Sequence, residues 1–197
     1  MTGFQRPGNR RMANMILFHS VLGLRRNERD LAERFRASGH AVTLPDLYQG
    51  AATDDLDEGF AIKARIGWDA ICLKAREALA STPGDAVLAG ISMGAGVVAE
   101  FWASRPLAAG VLLLHGLATV PANTRPGLPV QLHVADTDPL FPEPDVRAWQ
   151  ESAEAARADV QVFRYPNSGH YFSDPALPDY NAAAAAQLWS RTLTFLT

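Results

Sequence analysis

Apolar residues along this chain fall into short unbroken runs, separated by longer stretches in which they recur every three or four positions. Six runs have the length and the Val, Leu and Ile content of buried strands: Met15 to Ser20, Ala41 to Asp46, Ala86 to Ile91, Gly110 to Gly116, Val130 to Ala135 and Val160 to Tyr165. Helical periodicity covers roughly Glu28 to Ser38, Phe60 to Ala80, Met93 to Ser104, Pro144 to Ala158 and Tyr180 to Leu196. Strand-like runs taking turns with amphipathic crossovers predict an α/β fold, a mainly parallel sheet with helices on both faces. The alanine-rich stretch Asn181 to Trp189 needs no special account, because alanine is the best helix former.

Composition narrows what such a sheet could serve. The chain has 197 residues, 48% of them hydrophobic, which suits one compact domain and not two. That domain is expected over residues 14–197, after a basic N-terminal tail at residues 1–13. The tail and the apolar run behind it resemble a signal peptide superficially, but His19 and Ser20 interrupt the run and no small-x-small cleavage site follows. No apolar run approaches a membrane span, so a cytoplasmic protein with no membrane partner is expected. The formal net charge of −3, with no basic stripe, argues against a nucleic-acid partner. Cys72, the single cysteine, lies in a helical pattern and reads as a packed helix residue.

The segment Ala89 to Val98, AGISMGAGVV, departs from this economy. Gly90, Gly94 and Gly96 cost stability in a strand or a helix, and they surround a serine where one gives way to the other. Gly90-Ile91-Ser92-Met93-Gly94 matches G-x-S-x-G, the nucleophile elbow, in which a tight strand-to-helix turn exposes the serine hydroxyl at the carboxyl edge of a sheet. A glycine-rich turn with an N-capping serine would look similar. A serine is a weak nucleophile without a base, so catalysis requires a histidine and an orienting carboxylate further along. In this fold order the acid follows a later strand and the histidine follows the last one. Asp136 and Asp138 end the run QLHVADTD, and His170 sits in the loop after Val160 to Tyr165. His19, His40, His115 and His133 lie at or within strands and read as structural. Ser92, one of the two aspartates and His170 therefore form a candidate triad.

The blocks FHSVLGL, HAVTLPDLYQG, AGISMGAG, HVADTDPLFP and YPNSGHYF resemble, in order, those of the dienelactone hydrolase family of small α/β-hydrolases. Position by position, the resemblance implies Ser92 as nucleophile, Asp138 as acid and His170 as base. It also implies an oxyanion hole from the backbone N–H groups of Val21 and Met93. Three features depart from the family's namesake enzymes. Those enzymes carry a cysteine nucleophile, and a glutamate where this chain has Ser20. They also grip a substrate carboxylate with an arginine shortly after the histidine, where this chain reads Tyr171, Phe172, Ser173 and Asp174. An ordinary serine-esterase mechanism on small esters or lactones is the expectation, with no metal or organic cofactor.

Only Leu117 to Leu128 separates the fourth strand run from the fifth, too short for a lid, so the site should be open. Its walls are expected from Tyr48 to Phe60, and Arg25, Arg26, Tyr48 and Tyr171 are the candidate substrate contacts. The competing reading is a non-enzymatic ligand-binding or sensor protein on the same fold, since fold alone does not fix function.

Overall fold

A computed structural model describes residues 12–197, so the expected basic tail lies almost wholly outside the described residues. Six strands form one sheet: β1 (Asn14–Phe18), β2 (Ala41–Thr43), β3 (Val87–Ile91), β4 (Val111–Leu114), β5 (Pro129–Ala135) and β6 (Asp159–Tyr165). Their order is β2-β1-β3-β4-β5-β6, and every neighbouring pair is parallel. The helices are α1 (Arg26–Ala37), α2 (Leu56–Ile66), α3 (Trp68–Ala80), α4 (Met93–Trp102), α5 (Glu143–Ala155) and α6 (Ala182–Phe195).

The alternation of side chains along each strand assigns the two faces. Ile16, Leu88, Leu113 and Leu132 pack with Ile62 of α2, Ile71 of α3, Val98 of α4 and Val146 of α5. Met15, Leu17, Ala89 and Leu112 pack on the other face with Phe35 of α1 and Leu188 of α6. Every residue of β3 and β4 is buried, as the unbroken apolar runs require of central parallel strands.

Connectivity places the site. From β1 the chain moves outward to β2 on one side, and from β3 it moves to β4 on the other. Connections that leave in opposite directions open a crevice at the carboxyl ends of β1 and β3, where ligands bind in open α/β sheets.

Two elements differ from expectation: the second strand stops at Thr43 and not at Asp46, and one expected helix is broken. The single helix expected from Phe60 to Ala80 is two, α2 and α3, because Gly67 adopts φ 84° and ψ 143° between them. Glycine reaches that backbone region without the Cβ penalty other residues meet. The resulting corner folds Lys63 of α2 over the ring of Trp68 of α3, 5.2 Å from its centroid.

Candidate active site

The elbow is built from backbone crowding. Ser92, between β3 and α4, has φ 50° and ψ −109°, a conformation that a residue with a side chain adopts at a cost of about 1–3 kcal/mol. A Cβ at Gly90 would stand 2.2 Å from the Gly94 carbonyl oxygen, and one at Gly94 would stand 2.3 Å from that of Phe18. Both obstacles are main chain and cannot swing aside. The two glycines therefore let α4 begin hard against the ends of β1 and β3, which leaves the serine hydroxyl projecting from the turn.

Ser92 Oγ lies 2.9 Å from His170 Nε2, and His170 Nδ1 lies 2.6 Å from Asp138 Oδ2. The buried Asp138 carboxylate at Nδ1 selects the tautomer with its proton there, leaving Nε2 free to accept from the Ser92 hydroxyl. The other carboxylate oxygen, Oδ1, accepts the backbone N–H of Leu140 at 2.9 Å, so the carboxylate cannot rotate freely. Asp136, by contrast, is solvent-exposed and caps the end of β5 through its backbone N–H to the Tyr165 carbonyl, 3.1 Å.

Val21 follows β1 and Met93 opens α4, and both line the same cleft as Ser92. The Val21 loop is fixed by its neighbours. Ser20 Oγ accepts from Leu22 N at 3.2 Å and donates to Glu28 Oε1 at 3.3 Å. Outside it, Gly23 bridges to Ala52, and Thr53 N donates to the Leu22 carbonyl at 3.0 Å. Arg25 anchors this region from below: its guanidinium contacts Glu28, Asp54 and Asp174. Burial pushes the Glu28 carboxyl up, and Arg25 offsets this only in part.

A sequence profile of the dienelactone hydrolase family matches residues 3–197. The chain belongs to that family. A curated relative from Escherichia coli K12, named "Putative carboxymethylenebutenolidase", is 23% identical over 201 residues, spanning 91% of this chain and 74% of its own. A Synechocystis protein of the same name is 23% identical and spans 90% of this chain and 82% of its own. Among solved structures, a "Putative Dienelactone Hydrolase" from Klebsiella pneumoniae superposes with a TM-score of 0.77 at 21% identity, covering 97% and 90% of the two chains. A dienelactone hydrolase-like promiscuous phosphotriesterase from metagenomic libraries gives 0.74 at 21% identity, covering 93% and 85%. These structures share the α/β-hydrolase fold with this family member.

Of the candidate residues, the structure brings together Ser92, Asp138, His170, Val21, Met93 and Tyr171. Arg25 is buried within its three carboxylates and does not line the cleft. Arg26 points to solvent and pairs with Asp30 on α1. Tyr48 is 2% exposed and donates to Met93 Sδ, 3.0 Å away, so it supports the elbow from behind. The cleft beside Ser92, about 310 Å³, is walled by Phe60 and Lys63 of α2, Trp68 of α3, and Leu140 and Phe141 after Asp138. Of these, only Phe60 falls within the wall expected from Tyr48 to Phe60. The acidic stretch between them is otherwise engaged: Asp54 meets Arg25, and Asp55 caps α2 by accepting from Glu58 N at 2.8 Å. A larger cavity of about 490 Å³, between α1 and α6, reaches Tyr171 and His115 but not Ser92. Among the described residues, no helix is long and apolar enough to cross a membrane.

Proposed function

We propose that this member of the family is a serine hydrolase that cleaves small carboxylic esters or lactones through an acyl-enzyme. The observation that carries the reading is the continuous line from Asp138 through His170 to Ser92, with 2.6 Å and 2.9 Å links. His170 Nε2 takes the Ser92 proton as Oγ attacks the carbonyl carbon, then delivers it to the departing alkoxide oxygen. Asp138 holds the ring and stabilises the imidazolium. The carbonyl oxygen gains its charge beside Met93 N–H, at the positive end of α4, and Val21 N–H, each such donor being worth on the order of 3 kcal/mol of barrier. Water repeats the sequence on the acyl-enzyme and frees Ser92.

The cleft supports small substrates. The cleft, about 310 Å³, is lined by Phe60, Trp68, Leu140 and Phe141, a volume and an apolar lining that suit a short acyl group. Acetate and butyrate p-nitrophenyl esters should be hydrolysed with higher kcat/KM than esters of palmitate length. A preference for the long chain would contradict the assignment of this cleft as the acyl site.

A further inference from the structure

The hydroxyl of Tyr171 sits 3.2 Å from Ser92 Oγ, on a side chain that is 5% exposed. The loop holds that side chain tightly. Tyr171 N donates to Asp179 Oδ2 at 3.1 Å, and the ring meets that of His170 edge-on, 4.4 Å between centroids. Val21 and Leu22 pack against it from the oxyanion loop. Ser92 has a single hydroxyl proton, and His170 Nε2 is its acceptor. The phenol is therefore the donor in the Tyr171 contact, with Ser20 as a second hydroxyl beside it, so Oγ accepts from Tyr171 while donating to His170.

From this geometry we infer that Tyr171 is a further catalytic residue, whose phenol stabilises the charge passing through Ser92 Oγ when it attacks and again when it is expelled. The inference rests on the serine-hydrolase reading above. During attack, the Oγ–carbon bond forms, the Oγ proton moves to His170 Nε2 and the carbonyl electron pair moves onto oxygen. During deacylation, the carbon–Oγ bond breaks, its electron pair returns to Oγ and the imidazolium proton follows. Tyr171 keeps its own proton throughout. Burial pushes its hydroxyl up from the ordinary phenol value, so it remains a donor at neutral pH. A hydrogen bond to a developing charge is worth more than one between neutral groups, so its loss should be felt about tenfold or more in rate.

The test measures the rate at which a fluorophosphonate labels Ser92, and the deacylation rate after a p-nitrophenyl acetate burst, in wild type, Tyr171→Phe and protein carrying 3-fluorotyrosine at position 171. Tyr171→Phe should slow both steps about tenfold or more with an unchanged melting temperature. The more acidic fluorophenol should speed them relative to tyrosine, a graded response that a merely packing role would not produce. Wild-type protein that is labelled, beside Tyr171→Phe that is labelled equally fast, would overturn the inference and leave the hydrolase reading intact. If Tyr171→Phe fails to fold, equal rates for tyrosine and fluorotyrosine would overturn it instead. Absence of labelling in folded wild type would overturn the hydrolase reading and, with it, this role.

Discussion

Asp138→Asn should lower kcat by up to about 10⁴, the scale of the corresponding change in serine proteases, with folding unchanged. The reason lies in both carboxylate oxygens. Oδ1 accepts the Leu140 N–H and Oδ2 accepts from His170 Nδ1. An asparagine can satisfy Leu140 only with its carbonyl oxygen, which turns its NH₂ group toward Nδ1. The ring must then carry its proton on Nε2, where it opposes the Ser92 hydroxyl instead of accepting from it. Asp136→Asn should leave kcat within a few-fold, because the exposed Asp136 side chain is not part of that line. Circular dichroism of the purified variants separates this effect from unfolding, and the reverse ranking would hand the role to Asp136.

Acidification to pH 5 should remove about 4 kcal/mol of stability through His19 and His133 together. His19 donates from Nδ1 to the Ser20 carbonyl, 2.7 Å, and accepts at Nε2 from Leu47 N, 3.0 Å. His133 bonds to the Tyr165 hydroxyl at 2.7 Å and to Gln131 Oε1 at 2.8 Å. Each neutral ring already has both nitrogens engaged, and burial lowers the first to about 4 and the second to about 3. The unfolded chain takes up these protons near 6.5, whereas the folded protein refuses them until far lower pH. The unfolded state therefore binds more protons throughout that window, and stability falls as pH falls, by about 2 kcal/mol per histidine between pH 7 and pH 5. His115, fully buried and also lowered, acts in the same direction. Glu28, raised by burial, acts against them over part of the window but is one group against three. Urea unfolding midpoints at pH 7 and pH 5 measure the difference. A midpoint that does not move would contradict the neutral buried state of these histidines.

Local chemistry made the elbow readable: glycines that harm a strand and a helix are informative where they crowd around a serine, and the backbone contacts of Gly90 and Gly94 are the physical cause. Fold order made His170 readable for the same reason, since a Pro, Asn, Ser and Gly loop after the last strand has no structural need of a histidine. The choice between Asp136 and Asp138 was not decided by position along β5. It depends on which side chain turns inward, a property of the loop as a whole. Of the cleft walls, Phe60 lay within the stretch expected to supply them, whereas Lys63, Trp68 and Phe141 did not, because they reach the site only through the corner at Gly67 and the turn after Asp138. Arg25 read as a substrate contact because two of the three carboxylates that hold it, those of Asp54 and Asp174, are distant in sequence. One of them, Asp174, is 149 residues away in sequence. Glu28 was hidden similarly. It lies on a helix whose other charged residues face water, yet it is buried against Ser20.

The central claim is that Ser92 is an activated nucleophile, and covalent labelling by a fluorophosphonate followed by peptide mass spectrometry tests it most directly. Folded wild type should acquire one adduct per chain, on Ser92, whereas Ser92→Ala and heat-unfolded protein should acquire none. Folded wild type that stays unlabelled, or an adduct carried by another residue, would contradict the account.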